Sequence, residues 1–166
     1  MIAIVMGVSG SGKTVIGTLL AQKAGLVFAD GDDYHSAANK EKMAAGHPLD
    51  DEDREPWLET LHGVLRGWAD SDTGGVMACS ALKESYRITL TGDFAPNTFH
   101  FIFLELSPEI IAQRMAARKH EFMNPNLLGS QLATLEVPKD ALNIVNDRTP
   151  DEVVQEILSQ LHLSTT

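Results

Sequence analysis

The chain has 166 residues, of which 43% are hydrophobic, and this size and composition suit one domain with a single core. Its formal net charge of −10 argues against a nucleic-acid partner, because phosphate backbones require clustered Lys and Arg. The single cysteine, Cys79, cannot form an internal disulfide, no apolar run is long enough to span a membrane, and the chain begins with a predicted strand rather than a signal peptide, so we expect a cytoplasmic protein.

The first predicted strand, Ile2–Met6, runs directly into a phosphate-binding loop. Residues 7–14 read G-V-S-G-S-G-K-T, the complete pattern G-x-x-x-x-G-K-S/T, and a predicted helix over Lys13–Ala24 follows. The glycines permit positive φ and let backbone N–H groups surround the phosphates of ATP. Lys13 is placed to reach the β- and γ-phosphates, and the Thr14 hydroxyl is placed to ligate Mg²⁺. The predicted nucleotide-binding residues of the loop are Gly7, Val8, Ser9, Gly10, Ser11, Gly12, Lys13 and Thr14.

The second predicted strand, Leu26–Asp30, ends in the acidic sequence D-G-D-D-Y-H. The two carboxylates lie two positions apart on a predicted extended segment, and we expect one to serve a metal while the other faces a substrate. Our hypothesis is that Asp32 orients or deprotonates the attacking hydroxyl and that Asp30 supports the ligands around Mg²⁺. The alternative is an acidic turn exposed to water. His35 lies beside this turn as a candidate hydrogen-bonding residue.

Two helices are predicted next, over about residues 36–45 and 56–69, separated by the polar stretch Gly46–Glu55. The acidic run of that stretch is typical of a solvated surface. Arg54 is the one Lys or Arg within it, which makes Arg54 a candidate ligand for an anionic substrate. Trp57 is interpreted as a packing anchor.

A third strand, Gly75–Ser80, is followed by a helix that Ser80 can cap. Lys83 and Arg87 are four residues apart, so they share a helix face near its start. Cations at that position oppose the helix dipole, and an anionic ligand would explain them; the alternative is an ordinary solvated face.

The fourth strand, Phe99–Leu106, leads through Ser107-Pro108 into a helix with Arg114 and Arg118 at i, i+4. Cations that arrive with the substrates would offset the charge of a phosphoryl-transfer transition state. Residues 115–138 contain Pro and Gly and little periodicity, as expected of a mobile lid; the alternative is a basic helix surface.

The fifth strand, Leu142–Val145, precedes a capping box at 149–152 and a last helix. Alternating strands and helices predict an α/β fold with a parallel sheet covered on both faces, in which ligands lie beyond the carboxyl ends of the strands.

Several motifs together resemble those of the gluconokinases, a family of phosphate-loop small-molecule kinases. The similarity covers nearly the whole chain. It is carried by the phosphate loop, by D-G-D-x-x-H at 30–35, N-x-x-K-M at 39–43, G-x-P-L-x-D-x-D-R-x-P-W-L at 46–58, C-S-A-L-K-x-x-Y-R at 79–87 and S-Q-L-x-T-L-E-x-P at 130–138. The phosphate loop alone indicates only a superfamily, and the segment at 46–58 is the most specific.

The resemblance implies transfer of the γ-phosphoryl group of ATP to the 6-hydroxyl of D-gluconate, with Mg²⁺. It implies a single domain over 1–166 with a three-layer P-loop fold, a five-stranded parallel sheet like that of nucleoside monophosphate kinases, a substrate-binding helical segment at 34–70, a lid, and a homodimer. It further implies that Arg114 stacks on adenine and Arg118 contacts phosphates. The implied gluconate-binding residues are Asp32, His35, Arg54, Lys83 and Arg87. A monoanionic substrate suits such cations.

The lid departs from the family pattern A-R-K-G-H-F, because this chain has His120 and Glu121 where many members have Gly and His. A role of that histidine therefore does not transfer to Glu121. Two alternatives stay open: a kinase for another small substrate, such as shikimate or a nucleoside monophosphate, and a nucleotide-binding switch without catalysis.

Overall fold

The computed structural model describes residues 1–8, 10–95, 98–107, 109–110, 113 and 127–165. Its strands are β1 (Ile2–Met6), β2 (Phe28–Asp30), β3 (Gly75–Ala78), β4 (His100–Glu105) and β5 (Leu142–Val145). Its helices are α1 (Lys13–Ala24), α2 (Ala37–Ala44), α3 (Asp51–Asp70), α4 (Glu84–Thr91), α5 (Leu127–Thr134) and α6 (Pro150–Thr165). A 3-10 turn, Gly31–Tyr34, joins β2 to the segment before α2.

The five strands form one parallel sheet in the order β2-β3-β1-β4-β5, which confirms the predicted fold class. Strand β1 is central, and all five of its side chains are buried. Ile4 and Met6 join the core beneath α3 and α4, whereas Ala3 and Val5 join the core beneath α1 and α6. Burial on both faces explains why β1 has no polar residue. The arrangement places the phosphate loop at the middle of the carboxyl edge.

Helix α3 begins five residues before the predicted start at Pro56, so the prediction of a non-helical stretch through Glu55 is wrong for 51–55. Asp50 caps the helix, and Asp50 and Asp53 form a reciprocal capping box. Acidic residues stabilise the first turn of a helix because the dipole there is positive. The acidic run is therefore part of a helix, and Pro56 lies inside it.

Strand β3 ends at Ala78 rather than Ser80, and Ser80 does not cap α4. The helix begins at Glu84 with Lys83 at its N-cap. Ala81 has a φ of 45°, a left-handed conformation that a helix starting at Ser80 could not contain. Similarly, β2 begins at Phe28 instead of Leu26. Within the described part of the chain, no helix combines the length and apolarity needed to cross a membrane.

Candidate active site

The phosphate loop has the backbone conformation that its glycines predict. Gly10 and Gly12 have φ values of 83° and 98°, in the region that L side chains rarely adopt. Gly12 is the N-cap of α1, and no described side chain caps the helix there, so its amide end is presented to the cleft. The Lys13 ammonium donates to the Val8 carbonyl at 3.0 Å and lies across the loop. The predicted loop residue Ser9 lies outside the described residues.

Asn146, directly after β5, holds this loop from the neighbouring side of the sheet. Its side-chain amide donates to the Ser11 carbonyl at 2.7 Å, and its backbone N–H donates to the Glu105 carbonyl at 2.9 Å. Asn146 is buried, with 5% of its surface exposed. The sequence analysis did not select Asn146, although it follows a strand at the carboxyl edge, which is the signal that could have found it.

Asp30 connects the phosphate loop to the turn after β2. One of its carboxylate oxygens accepts the Thr14 hydroxyl at 2.9 Å, and the other accepts the Asp32 backbone N–H at 3.0 Å. Asp32 lies in the 3-10 turn, so the prediction of an extended segment through Asp32 is wrong; on an extended strand, residues 30 and 32 would share one face. A hydroxyl and a carboxylate, both hard oxygen ligands, suit Mg²⁺.

Asp32 has an unusual carboxyl group. Partial burial raises its pKa to about 6; Lys13 opposes this shift, and the negative charges of Asp30 and Asp33 add to it. At neutral pH the carboxylate is ionised and is a stronger base than an ordinary aspartate. This property suits a group that accepts a proton from a hydroxyl.

His35 is buried between α2 and α3. Its ring stacks on Trp57 with centroids 4.2 Å apart, and its Nδ1 lies 3.4 Å from the Asn39 side-chain nitrogen. Burial, reinforced by the positive charges of Arg54 and Lys40, lowers the pKa of His35 to about 4. The ring is therefore neutral at pH 7. An Asn39 amide donating to Nδ1 leaves the proton on Nε2, which can then donate to a ligand.

Trp57 anchors the start of α3 to the Asp32 turn. Its indole N–H donates to the Gly31 carbonyl at 2.7 Å, and its side chain is 3% exposed. This confirms its interpretation as a packing anchor. As a result, the first two turns of α3 lie against the segment that carries Asp32 and His35.

Arg54 and Lys83 meet at the ring of Tyr86. Arg54 donates to the Tyr86 hydroxyl at 2.8 Å, and the hydroxyl donates to Asp51 at 2.6 Å. Lys83 pairs with the same carboxylate oxygen at 3.3 Å. Neither Asp51 nor Tyr86 was selected as a site residue from the sequence; both occur in the motifs that gave the resemblance, which was the available signal.

Arg87 lies on the other side of the loop after β3. Its guanidinium donates to the carbonyls of Ala81 at 2.7 Å and Glu136 at 3.0 Å. The Glu136 carboxylate in turn accepts the Glu84 backbone N–H at 2.8 Å. Lys83 and Arg87 therefore do not form one paired cation face, because Lys83 is the N-cap of α4 and contacts different partners.

The predicted nucleotide-binding residues Arg114 and Arg118 lie outside the described residues, as do His120 and Glu121. Of the predicted lid, the described part comprises α5 and the four residues after it, 135–138. Contacts among the described residues connect the others: Asp30 joins the phosphate loop to Asp32, the Asp32 carbonyl accepts the His35 backbone N–H at 3.4 Å, and the positive charge of Arg54 acts on His35. Lys83 joins this group through Tyr86 and Asp51.

Known proteins similar to this chain include small-molecule kinases. The sequence model of the shikimate kinase family matches residues 9–162. A gluconokinase of Gluconobacter oxydans is 45% identical over 158 residues, which cover 93% of this chain and 88% of that protein. The crystal structure of a gluconokinase from Sinorhizobium meliloti is 40% identical, with a TM-score of 0.83, covering 97% of this chain and 91% of that one.

More distant solved structures share the fold. A shikimate kinase from Aquifex aeolicus superposes with a TM-score of 0.61 at 18% identity, covering 99% of this chain and 98% of that one. At that identity the likeness extends to the fold alone. It supports the three-layer architecture around the phosphate loop.

Proposed function

The chain belongs to the gluconokinase family, and from this premise we propose how its residues phosphorylate D-gluconate with ATP. The reaction transfers the γ-phosphoryl group to the 6-hydroxyl and yields 6-phospho-D-gluconate and ADP. The observation that best supports the residue roles is the chain of contacts from Thr14 through Asp30 to Asp32, which joins the phosphate loop to a carboxylate of raised pKa.

The nucleotide is held by the phosphate loop. Backbone N–H groups of residues 7–14 surround the phosphates, Lys13 offsets charge on the β- and γ-phosphoryl oxygens, and Arg114 and Arg118 act on adenine and phosphate. Mg²⁺, when bound, neutralises charge on the phosphates; Thr14 would ligate it, with Asp30 fixing the hydroxyl. In-line geometry leaves little other chemistry for the protein to supply.

The acceptor is oriented by Asp32, beside the phosphate loop, and by His35, Arg54 and Lys83, which form the acceptor wall of the cleft. Asp32 accepts the proton of the 6-hydroxyl as that oxygen attacks phosphorus. His35, neutral and protonated on Nε2, donates to a hydroxyl of the sugar acid. Arg54 and Lys83 bind the carboxylate. Arg87 holds the loop that carries Lys83, and its predicted direct contact with gluconate stays a prediction.

Three wider features belong to the same proposal. The chain acts as one domain over 1–166, in which 34–70 binds the acceptor and 115–138 closes over the nucleotide. It works as a homodimer in the cytoplasm. Its single thiol, Cys79, is buried, and burial raises its pKa to about 12, which leaves it unreactive.

A coupled assay of 6-phosphogluconate formation tests the function. ATP with D-gluconate should give a kcat/KM at least tenfold above that with shikimate, AMP or uncharged sugars. The shikimate arm is included because the shikimate kinase sequence model matches the chain. Equal or better turnover of shikimate or AMP would contradict the substrate, and ATP hydrolysis without any acceptor product would favour a nucleotide-binding switch.

A further inference from the structure

Tyr86 forms the centre of a small charged cluster on the acceptor wall of the cleft. The cluster consists of Asp51, Arg54, Lys83 and Tyr86, and we call it the Tyr86 cluster. The guanidinium carbon of Arg54 lies 5.2 Å from the ring centroid, and the Lys83 nitrogen lies 5.5 Å from it. Both cations are thus within the range at which an aromatic ring attracts positive charge. The phenol oxygen makes the two hydrogen bonds that link Arg54 to Asp51.

The cluster contains two cations and one anion. Hydrogen bonds from Tyr86 and Lys83 hold the pKa of Asp51 below its usual range, so the carboxylate is ionised. The Asp51 side chain is 68% exposed and that of Lys83 is 33% exposed. Exposed ion pairs contribute little to stability, so this one can open at small cost.

Asp51 takes no part in the capping box of the helix on which it lies. The capping box of α3 is made by Asp50 and Asp53, and Asp53 also pairs with Lys42 at 2.6 Å. Of the aspartates at the start of α3, Asp51 is the one whose carboxylate contacts the acceptor-wall cations in the described residues. Its position is explained by those cations rather than by capping.

We propose that Asp51 is a resident counter-ion that the carboxylate of the sugar acid displaces from Lys83, while Tyr86 keeps Arg54 and Lys83 in place for this exchange. The inference rests on the proposed function, in which those two cations receive the substrate carboxylate. A neutral polyol has no carboxylate that could replace Asp51, so the ion pair between Asp51 and Lys83 stays intact. The cluster therefore determines selectivity for an acid over the corresponding alcohol.

The test compares two variants of the cluster: one removes the charge of Asp51, and the other removes the hydroxyl of Tyr86. Asp51→Asn removes the competing charge and should lower the KM for D-gluconate about 2–5-fold, with kcat and the KM for ATP unchanged. Tyr86→Phe keeps the ring but releases Arg54, and it should raise the KM for gluconate about 5–10-fold. If the cluster were purely structural, neither variant would lower the KM for gluconate.

Matched controls remove other effects. Glu52→Gln neutralises the neighbouring exposed acid, and Thr89→Val removes a hydroxyl on α4 that bonds only to the Ser85 carbonyl among the described residues. Both should leave the KM for gluconate within twofold of the wild type. A higher or unchanged KM for gluconate in Asp51→Asn overturns the proposal. A higher KM would show that Asp51 itself binds the sugar acid. Absence of gluconate turnover in the wild type would instead defeat the proposed function itself.

Discussion

The two walls of the cleft are built differently. The phosphate wall consists of main-chain groups at the end of the central strand β1, held from beneath by the buried side chain of Asn146. The acceptor wall consists of side chains from α3 and the start of α4, from the exposed Asp51 to the buried Tyr86, and they are linked by one ion pair and one phenol. One wall is fixed by packing, and the other by contacts that can be exchanged.

This difference corresponds to the ligands. The triphosphate group is the same in every nucleoside triphosphate. A rigid set of backbone N–H groups is therefore sufficient to bind it, and the loop need not rearrange. The acceptor must be distinguished from many similar polyols. Charged side chains held at fixed positions make this distinction. Substitutions on the two walls should therefore separate into effects on ATP and effects on gluconate.

The largest expected effect lies where the walls meet. Asp32→Asn should reduce kcat by about 10²–10⁴-fold, because it removes the base that accepts the hydroxyl proton. The KM for ATP should stay within threefold of the wild type, because the Asp32 backbone N–H that bonds to Asp30 is unchanged by the substitution. Steady-state kinetics and nucleotide titration measure the two quantities.

Asp33→Asn is the matched control, since Asp33 is the exposed neighbour on the same turn. It should retain near-normal turnover. Near-normal turnover of Asp32→Asn itself would remove Asp32 from the mechanism and would leave the two walls without a catalytic connection.

A smaller effect is expected from the support of the phosphate wall. Asn146→Ala removes a buried hydrogen bond to the Ser11 carbonyl and should raise the KM for ATP about tenfold, with the KM for gluconate unchanged. Asn143→Ala, an exposed asparagine on β5, is the control and should behave as the wild type. Equal increases in both KM values would show that the walls are not independent.

The smallest expected effect concerns pH. The pKa of Asp32 is about 6 in the folded chain against 3.8 ordinarily, so the folded state binds more protons than the unfolded state between these values. The group therefore disfavours folding increasingly as pH rises from about 4 to 6. Asp32→Asn should be more stable than the wild type at pH 8 by on the order of 1 kcal/mol, and equally stable near pH 3.5.

Thermal unfolding at several pH values measures this difference. The kcat/KM for gluconate of the wild type should rise with pH and level off above an apparent pKa near 6. A stability difference that does not change with pH would show that the Asp32 carboxyl is ordinary. Asp32 would then lie in the site without acting as a base.

The sequence predicted the phosphate wall better than the acceptor wall. The loop, β1 and α1 are local, and one continuous pattern with glycines at fixed positions specified them, so their bounds agree with the structure. The acceptor wall joins residues about 30 positions apart, such as Arg54 and Tyr86, whose meeting depends on how α3 packs on α4. Spacing within one helix could not show that Lys83 and Arg87 have different partners.

The acidic start of α3 shows a second reason. A run of carboxylates was interpreted as solvated surface because charge alone favours water, yet the helix dipole and the Asp50–Asp53 capping box favour a helix there. The same turn supplies Asp51 to the Tyr86 cluster. To predict the position of such a residue, the pattern of charges must therefore be considered together with the interactions that stabilise helix ends.

The bond between Asn146 and Ser11 joins positions 135 residues apart in the chain. A growing polypeptide thus lacks this support until its last strand has left the ribosome and docked beside β4. Truncated or unfinished chains would contain an intact glycine-rich loop but bind ATP with low affinity. High-affinity ATP binding therefore indicates that β5 has been synthesised and has joined the sheet.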